Sequence, residues 1–499
     1  MFTLNISIQG FHWAALYLAF VCQVGIPVQQ ETESMQNSPP LISDRTEDQV
    51  ERFLANVPSI ESHGPKPGLL VWTSSQFKAE DLIVAMLASC VVLCLMAPGT
   101  YVFYTSLQGS SINLESLGKG MSLLCFLALA WVLFIYSLAF SRNAHSYDVL
   151  DKEIQVTDRE TAPGNVFIGE LTNSGFGGLE SQWGGGIVRH PLRRMGDRIP
   201  HSLFMTLQMM IYLQSVVPLL VIAGKGIGSW PSIPFWLMWS ACVYAPLCYW
   251  IQGGGWLAEC IDAGGAIPVH IGIGFTALGL AWINSPSSSL SGSAEQSTGL
   301  ITGWILWVGG IFFFTACRSA MNHRGWTPDL LNVFMGGCAG QLTWMVFHYK
   351  TIGPKINSLW LFGPIAGMIA VSSGSASISP GFAAIVGVFG AVAARVALMA
   401  RREQSINMLW LLFAIHGVSA FVGLVMTGIL ASTEIAGNDT AGKPIVGLLG
   451  GSLEPLRVQL LTATISAILA CFGGIVLLRV AQVVGAILKR LFADSAAGH

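Results

Sequence analysis

Charge is scarce in this sequence. Only 10% of its 499 residues are Asp, Glu, Lys or Arg, against about 25% in a typical soluble domain. The 25 basic and 27 acidic side chains leave a formal net charge of -2. Such a chain has no basic footprint, so nucleic acid is not an expected partner. Metal-ligand spacing is lacking too. Of ten cysteines, none falls in a CxxC or Cys/His pattern, so neither a zinc site nor a disulfide framework is expected. Cys90, Cys94, Cys125, Cys242, Cys248, Cys338 and Cys471 lie in apolar runs and read as small packing residues. No nucleophile constellation or phosphate-cradling glycine loop occurs. The chain therefore does not read as an enzyme, and no cofactor is implied.

What the sequence does hold is hydrocarbon. Hydrophobic residues make up 53% of it, 56 residues are glycine, and the mean hydropathy is +0.60. This is the composition of a polytopic membrane protein with closely packed helices. Beyond residue 80, apolar spans of roughly 20 residues recur, the length a helix needs to cross about 30 Å of hydrocarbon. Eleven are expected, at 82–105, 120–140, 202–224, 233–252, 264–283, 299–319, 328–347, 357–374, 381–400, 407–431 and 456–482. The predicted fold is thus an all-α polytopic membrane protein.

Residues 1–28 contain a short apolar stretch that reads as a signal peptide, with an uncleaved anchor as the alternative because no Lys or Arg precedes it. A polar arm at 29–80, a membrane domain at 81–482 with a long external loop at 141–200, and a short tail at 483–499 complete the layout. Lys119, Lys225, Lys350, Lys355, Arg401, Arg402, Lys489 and Arg490 fall in connections on one side. The positive-inside rule makes that side cytoplasmic, with the N-terminus outside and the C-terminus inside a cell membrane.

Of ten histidines, only His270 and His416 fall well inside apolar runs. An imidazole stripped of water there must find hydrogen bonds from a neighbour or from a passing solute. Grouping the spans as five, five and one puts each histidine in the fifth helix of its group. Because five is odd, the two groups enter the membrane from opposite sides, as an inverted repeat. The two rings then approach each other near mid-membrane, where they can share a proton and offer lone pairs to a small polar solute. A metal is the other use of such a pair, but no carboxylate or Cys is spaced to complete its shell. Asp262, eight residues before His270 in DAGGAIPVH, either caps the helix start or favours a cation near the path. Pro268 can free a backbone carbonyl toward a lumen.

PGTYVFY (98–104), WVLFIYSLAF (131–140), GGG with DAGGAIPVH (253–255 and 262–270), GPIAGMIAV (363–371) and HGVSAFVGLVMTGIL (416–430) resemble, in order, the signature segments of the Amt/Rh ammonium transporter family. The resemblance covers about residues 80–482. It implies a homotrimer in the lipid bilayer, with one narrow apolar pore per subunit lined by twin histidines. His270 and His416 match that pair, and Asp262 matches the family's acidic residue.

The outer recruitment site departs from the family pattern. Leu207 and Ile211 stand where phenylalanines are usual, with Gln208 alone in agreement. Gln252 replaces a Trp before GGG, flanked by Trp250 and Trp256. Phe314 matches the inner gate Phe, Arg318 falls where the transporters have Ser, and Met408 replaces the acidic residue eight before the second histidine. A lost cage removes about 0.5 to 2 kcal/mol of cation–π attraction. Arg318 either repels a cation at the mouth or, with one alignment gap, turns away and snorkels. The resemblance implies transport of ammonium or ammonia through a lumen too dry for hydrated K⁺ and Na⁺. A low-flux ammonium sensor, or a pore for neutral NH3 or CO2, is the alternative.

Overall fold

The computed structural model describes residues 71–72, 79–109, 114–141, 167–176, 187–188, 199–283, 290, 296–319, 327–352, 358–401, 406–438 and 443–497. The expected signal peptide lies outside the described residues, as does the polar arm apart from 71–72 and 79–80. In hydrocarbon every backbone N–H and C=O must be paired within its own segment, so apolar runs of this length become helices. Besides the short helix Thr433–Ala436 and the 3-10 turns Leu171–Phe176 and Leu448–Gly450, a set of longer helical stretches is described. They are α1 (79–107), α2 (114–140), α3 (His201–Ile227), α4 (229–251), α5 (Ala266–Ile283), α6 (Gln296–Ser319), α7 (Thr327–Ile352), α8 (358–372), α9 (Pro380–Ala400), α10 (Met408–Leu430) and α11 (Glu454–Ala497). Each coincides with one of the expected spans. Eight of the described helices are long and apolar enough by themselves to cross a membrane, and the apolar parts of α6 and α8 are shorter. The chain is an all-helical polytopic membrane protein. Its strand content among the described residues is a two-residue ladder pairing Val71–Trp72 with Ile187–Val188.

Two differences from the expected layout have physical causes. The segment 483–497, read as a tail, continues α11 to Ala497, since it carries no proline to break the hydrogen-bond ladder. Of the cysteines expected to pack, Cys248 and Cys471 are buried, but Cys90, Cys94, Cys125 and Cys242 face outward. A thiol is apolar enough for a lipid-facing surface, so burial is not required of it.

Burial sorts the helices. In α3 and α5, 83% of the apolar stretch is buried, whereas in α1 it is 39% and in α7 33%. The outer helices turn large apolar side chains outward, among them Ile83 and Leu87 on α1, Leu342 on α7, and Phe472 and Val476 on α11. α3 and α5 are therefore central, and α5 carries His270. Three helices are fastened at Thr276 of α5: Trp239 Nε1 on α4 donates to Thr276 Oγ1 at 2.9 Å, and that hydroxyl donates to the Ala470 carbonyl of α11 at 3.1 Å.

The described part of 141–200 lies against the end of α2. Ser137 Oγ donates to the Glu170 carbonyl at 2.6 Å, and Ser141 Oγ donates to Asn173 Oδ1 at 2.6 Å.

The two histidine helices meet through their backbones. A Cβ on Gly274 of α5 would overlap the backbone N and Cα of Gly417 on α10. Small residues at a crossing let helices in lipid approach this closely. Four residues before Gly274 stands His270, and immediately before Gly417 stands His416. Each histidine also sits in a π-helical turn, Ala266–Ile271 in α5 and Phe413–Val418 in α10. The extra residue in such a turn re-aims nearby side chains, a device frequent at functional sites. π-helical turns also occur in α1 at Val92–Met96, in α2 at Trp131–Ile135 and in α4 at Ser240–Tyr244.

Candidate functional site: a buried imidazole pair and its cavity

His270 and His416 face each other. Their Nδ1 atoms lie 3.0 Å apart and both rings are buried, with ring centroids 5.1 Å apart. Two ring nitrogens at this distance hold one hydrogen between them, one donating and one accepting. At the other end of His416, Nε2 lies 2.9 Å from the hydroxyl of Tyr104 on α1. Tyr104, His416 and His270 thus form a continuous row of polar atoms inside apolar surroundings.

The start of α5 is held by a small polar framework. Asp262 Oδ1 accepts from the Ala266 N–H at 2.6 Å and Oδ2 accepts from the Ile267 N–H at 2.9 Å. These donors belong to the first turn of a helix, which has no internal acceptors for them. Of the two sequence readings of Asp262, helix capping is the one its contacts express. Burial pushes its carboxyl up to about 6, against the lowering pull of the backbone N–H groups of Ile267, Ala266 and Gly265. Gly265 has φ +71°, a left-handed turn that glycine adopts at no steric cost. The same loop is stitched to the end of α8, where the Ser373 and Ser372 carbonyls accept from the Ala263 and Gly264 N–H groups at 2.9 and 3.0 Å. From α11, Gln459 Oε1 accepts from the Ile261 N–H at 3.1 Å and its Nε2 donates to the Ile261 carbonyl at 2.7 Å. α10 starts differently: Asn407 Oδ1 accepts from the Leu409 N–H at 2.8 Å, immediately before Met408. An amide thus caps the second half where a carboxylate caps the first.

A cavity of about 60 Å³ opens beside the imidazoles, lined from α1, α3, α5, α6, α8 and α10. Its wall includes Tyr104, Gln214, His270, Phe313, Met368 and His416, and no Asp, Glu, Lys or Arg. A second cavity of about 10 Å³ is lined by Gln208, Ile211, Tyr244, Gln252, Pro268 and Val269, among others. This leaves space for about one water-sized molecule. Val269 borders both cavities, so they adjoin at the residue before His270.

The expected vestibule residues divide accordingly. Ile211 and Gln252 come together in the small cavity. Leu207 is buried but lines neither cavity. The side chains of Phe314 and Arg318 lie outside the described residues, and the phenylalanine that faces the larger cavity is Phe313. Trp250 and Trp256 stand edge to face at 5.5 Å, and Trp250 Nε1 donates to the Phe167 carbonyl at 2.7 Å. Sequence reasoning gave no role to Tyr104, Gln214 or Gln459. Tyr104 ends the quoted PGTYVFY motif, and Gln214 follows Gln208 and Ile211 at helical spacing, so both signals were present. Gln459 lies about 200 residues from its partner in the chain, and no pattern connects them.

Comparison with known proteins agrees with this geometry. The chain is 27% identical over 364 residues to the "Ammonium transporter" of Bacillus subtilis, covering 70% of this chain and 81% of that protein. It is 26% identical over 390 residues to "Ammonium transporter Amt1" of Archaeoglobus fulgidus, covering 77% and 88%. The fold resembles the crystal structure of Saccharomyces cerevisiae Mep2 with a TM-score of 0.67 at 22% identity, covering 81% of this chain and 85% of that one. The sequence profile of the Ammonium Transporter Family matches residues 84–492, which include both histidines, Asp262 and every residue that lines the two cavities. The chain therefore belongs to the Ammonium Transporter Family.

Proposed function

We propose that this protein moves ammonium or ammonia across a membrane along the route marked by the two cavities, past His270 and His416. The observation that carries this reading is the imidazole pair, two buried rings with Nδ1 atoms 3.0 Å apart on the wall of one apolar cavity. An apolar wall without carboxylates cannot replace the water shell of K⁺ or Na⁺, whereas an N–H solute can hydrogen-bond to imidazole.

The row Tyr104, His416, His270 has two protonic arrangements of the same atoms. When the Tyr104 hydroxyl donates to His416 Nε2, His416 carries its hydrogen on Nδ1 and donates to His270 Nδ1. His270 then carries its own hydrogen on Nε2. When His416 instead carries hydrogen on Nε2 and donates to the Tyr104 oxygen, its Nδ1 accepts from His270. Switching from the first to the second takes up a proton at the Tyr104 oxygen and releases one from His270 Nε2, so a proton passes along the row with no net change in its charge. This is what a relay needs when ammonium loses its proton on one side of a dry segment.

The route runs from the N-terminal ends of α3 and α5, outside by the positive-inside rule, toward the cytoplasm. Ile211 and Gln252 form its altered vestibule, and the functional unit is a homotrimer in a cell membrane. The test is uptake of methylammonium into vesicles reconstituted with the purified protein or with its His270→Ala/His416→Ala variant. Uptake by the protein that falls more than tenfold in the variant is expected. Unchanged uptake in the variant overturns the reading.

A further inference from the structure

Gln214 stands on α3 on the wall of the larger cavity, beside the imidazole pair, and only 8% of it is exposed. Its Nε2 donates to the Thr100 hydroxyl of α1 at 2.8 Å. Among the described residues its Oε1 has no hydrogen-bond partner. A buried amide oxygen left without a donor is rare in native structures, because the group has given up water for nothing. Two other polar side chains on this wall are engaged: the Tyr104 hydroxyl meets His416, and Ser215 Oγ donates to the Tyr212 carbonyl at 2.6 Å. Because a hydroxyl can both donate and accept, one end of the Gln214 amide remains unmatched whichever way round it meets Thr100.

We propose that Gln214 is a binding residue for the permeating solute, its amide oxygen accepting an N–H from ammonium or a small alkylammonium. This rests on the transport reading above and adds to it a second polar station in the lumen, separate from the imidazoles. Thr100 is the positioning residue, since its hydroxyl holds the other end of the amide. The chemistry selects a solute with at least one N–H. A fully substituted ammonium such as tetramethylammonium offers none. The station also explains how a solute leaving water gains a partner beside the imidazoles without any charge in the wall to trap it.

Two measurements separate the proposal from its foundation. The first is a pair of structures of the purified protein, one in methylammonium chloride and one in sodium chloride. Elongated density of methylammonium size within hydrogen-bond distance of Gln214 Oε1, present only in the first, is expected. The same compact density in both salts means the amide binds water only and overturns the proposal, whatever the flux. The second is methylammonium uptake by Gln214→Leu, Thr100→Val and Thr100→Ser. In Gln214→Leu the half-saturating concentration rises about tenfold, the loss of one hydrogen bond to a charged group. Thr100→Val shifts it in the same direction and Thr100→Ser restores it. Unchanged half-saturation in Gln214→Leu overturns the proposal while leaving the twin-histidine route standing. Loss of uptake in the histidine variant together with normal uptake in Gln214→Leu identifies which of the two ideas has failed.

Discussion

Replacing Asp262 separates two roles that one carboxylate can play. Its oxygens accept from the Ala266 and Ile267 N–H groups at 2.6 and 2.9 Å, in a buried loop. Asp262→Ala leaves both donors unpaired, and each such buried group costs about 1 to 3 kcal/mol. The sum is about 2 to 6 kcal/mol lost from the start of the helix that carries His270. Asp262→Asn keeps one carbonyl oxygen within reach and loses about half of that. The assay is thermal unfolding of the purified protein followed by intrinsic tryptophan fluorescence, with methylammonium uptake measured on the same preparations. If capping is the role, stability and uptake fall together and Asn lies between Asp and Ala in both. If Asn unfolds at the original temperature yet transports as poorly as Ala, what is missing is negative charge and the capping role is refuted. Unchanged stability in Ala refutes it equally.

Two further outcomes follow from the geometry. Tyr104→Phe removes one end of the polar row at the cost of a single hydrogen bond, about 0.5 to 1.5 kcal/mol, so uptake should fall about two- to tenfold with the fold intact. Gly274→Val drives side-chain carbon into the Gly417 backbone and should abolish uptake, whereas Gly381→Ala on α9, where a Cβ meets nothing within 4 Å, should transport normally. Equal behaviour of these two glycine variants would contradict the close crossing.

Much of the architecture was readable from hydrophobicity alone, because the bilayer leaves an apolar run of 20 residues only one conformation. The histidines were readable for the opposite reason: a polar ring in such a run has to be explained. Phase and partnership were not. Phe313 and Phe314 differ by about 100° around a helix, and one alignment gap interchanges them. Gln459 holds the Asp262 loop through backbone atoms of Ile261, and no side-chain pattern records that kind of contact. Leu207 was paired with Ile211 by motif, yet only Ile211 reaches a cavity, because the helix face nearest the route passes through Gln208, Ile211 and Gln214. The outward cysteines were misjudged since lipid and protein interior look alike to composition.

The meeting of Gly274 with Gly417 has a consequence for how the imidazole separation is set. Main chain rests on main chain there, so the spacing of the rings behaves like the gap of a caliper whose pivot carries no upholstery. Repacking leucines or valines elsewhere in the helices should alter stability without opening that gap. Only a change at the pivot itself, of as little as one methyl group, should prise the jaws apart.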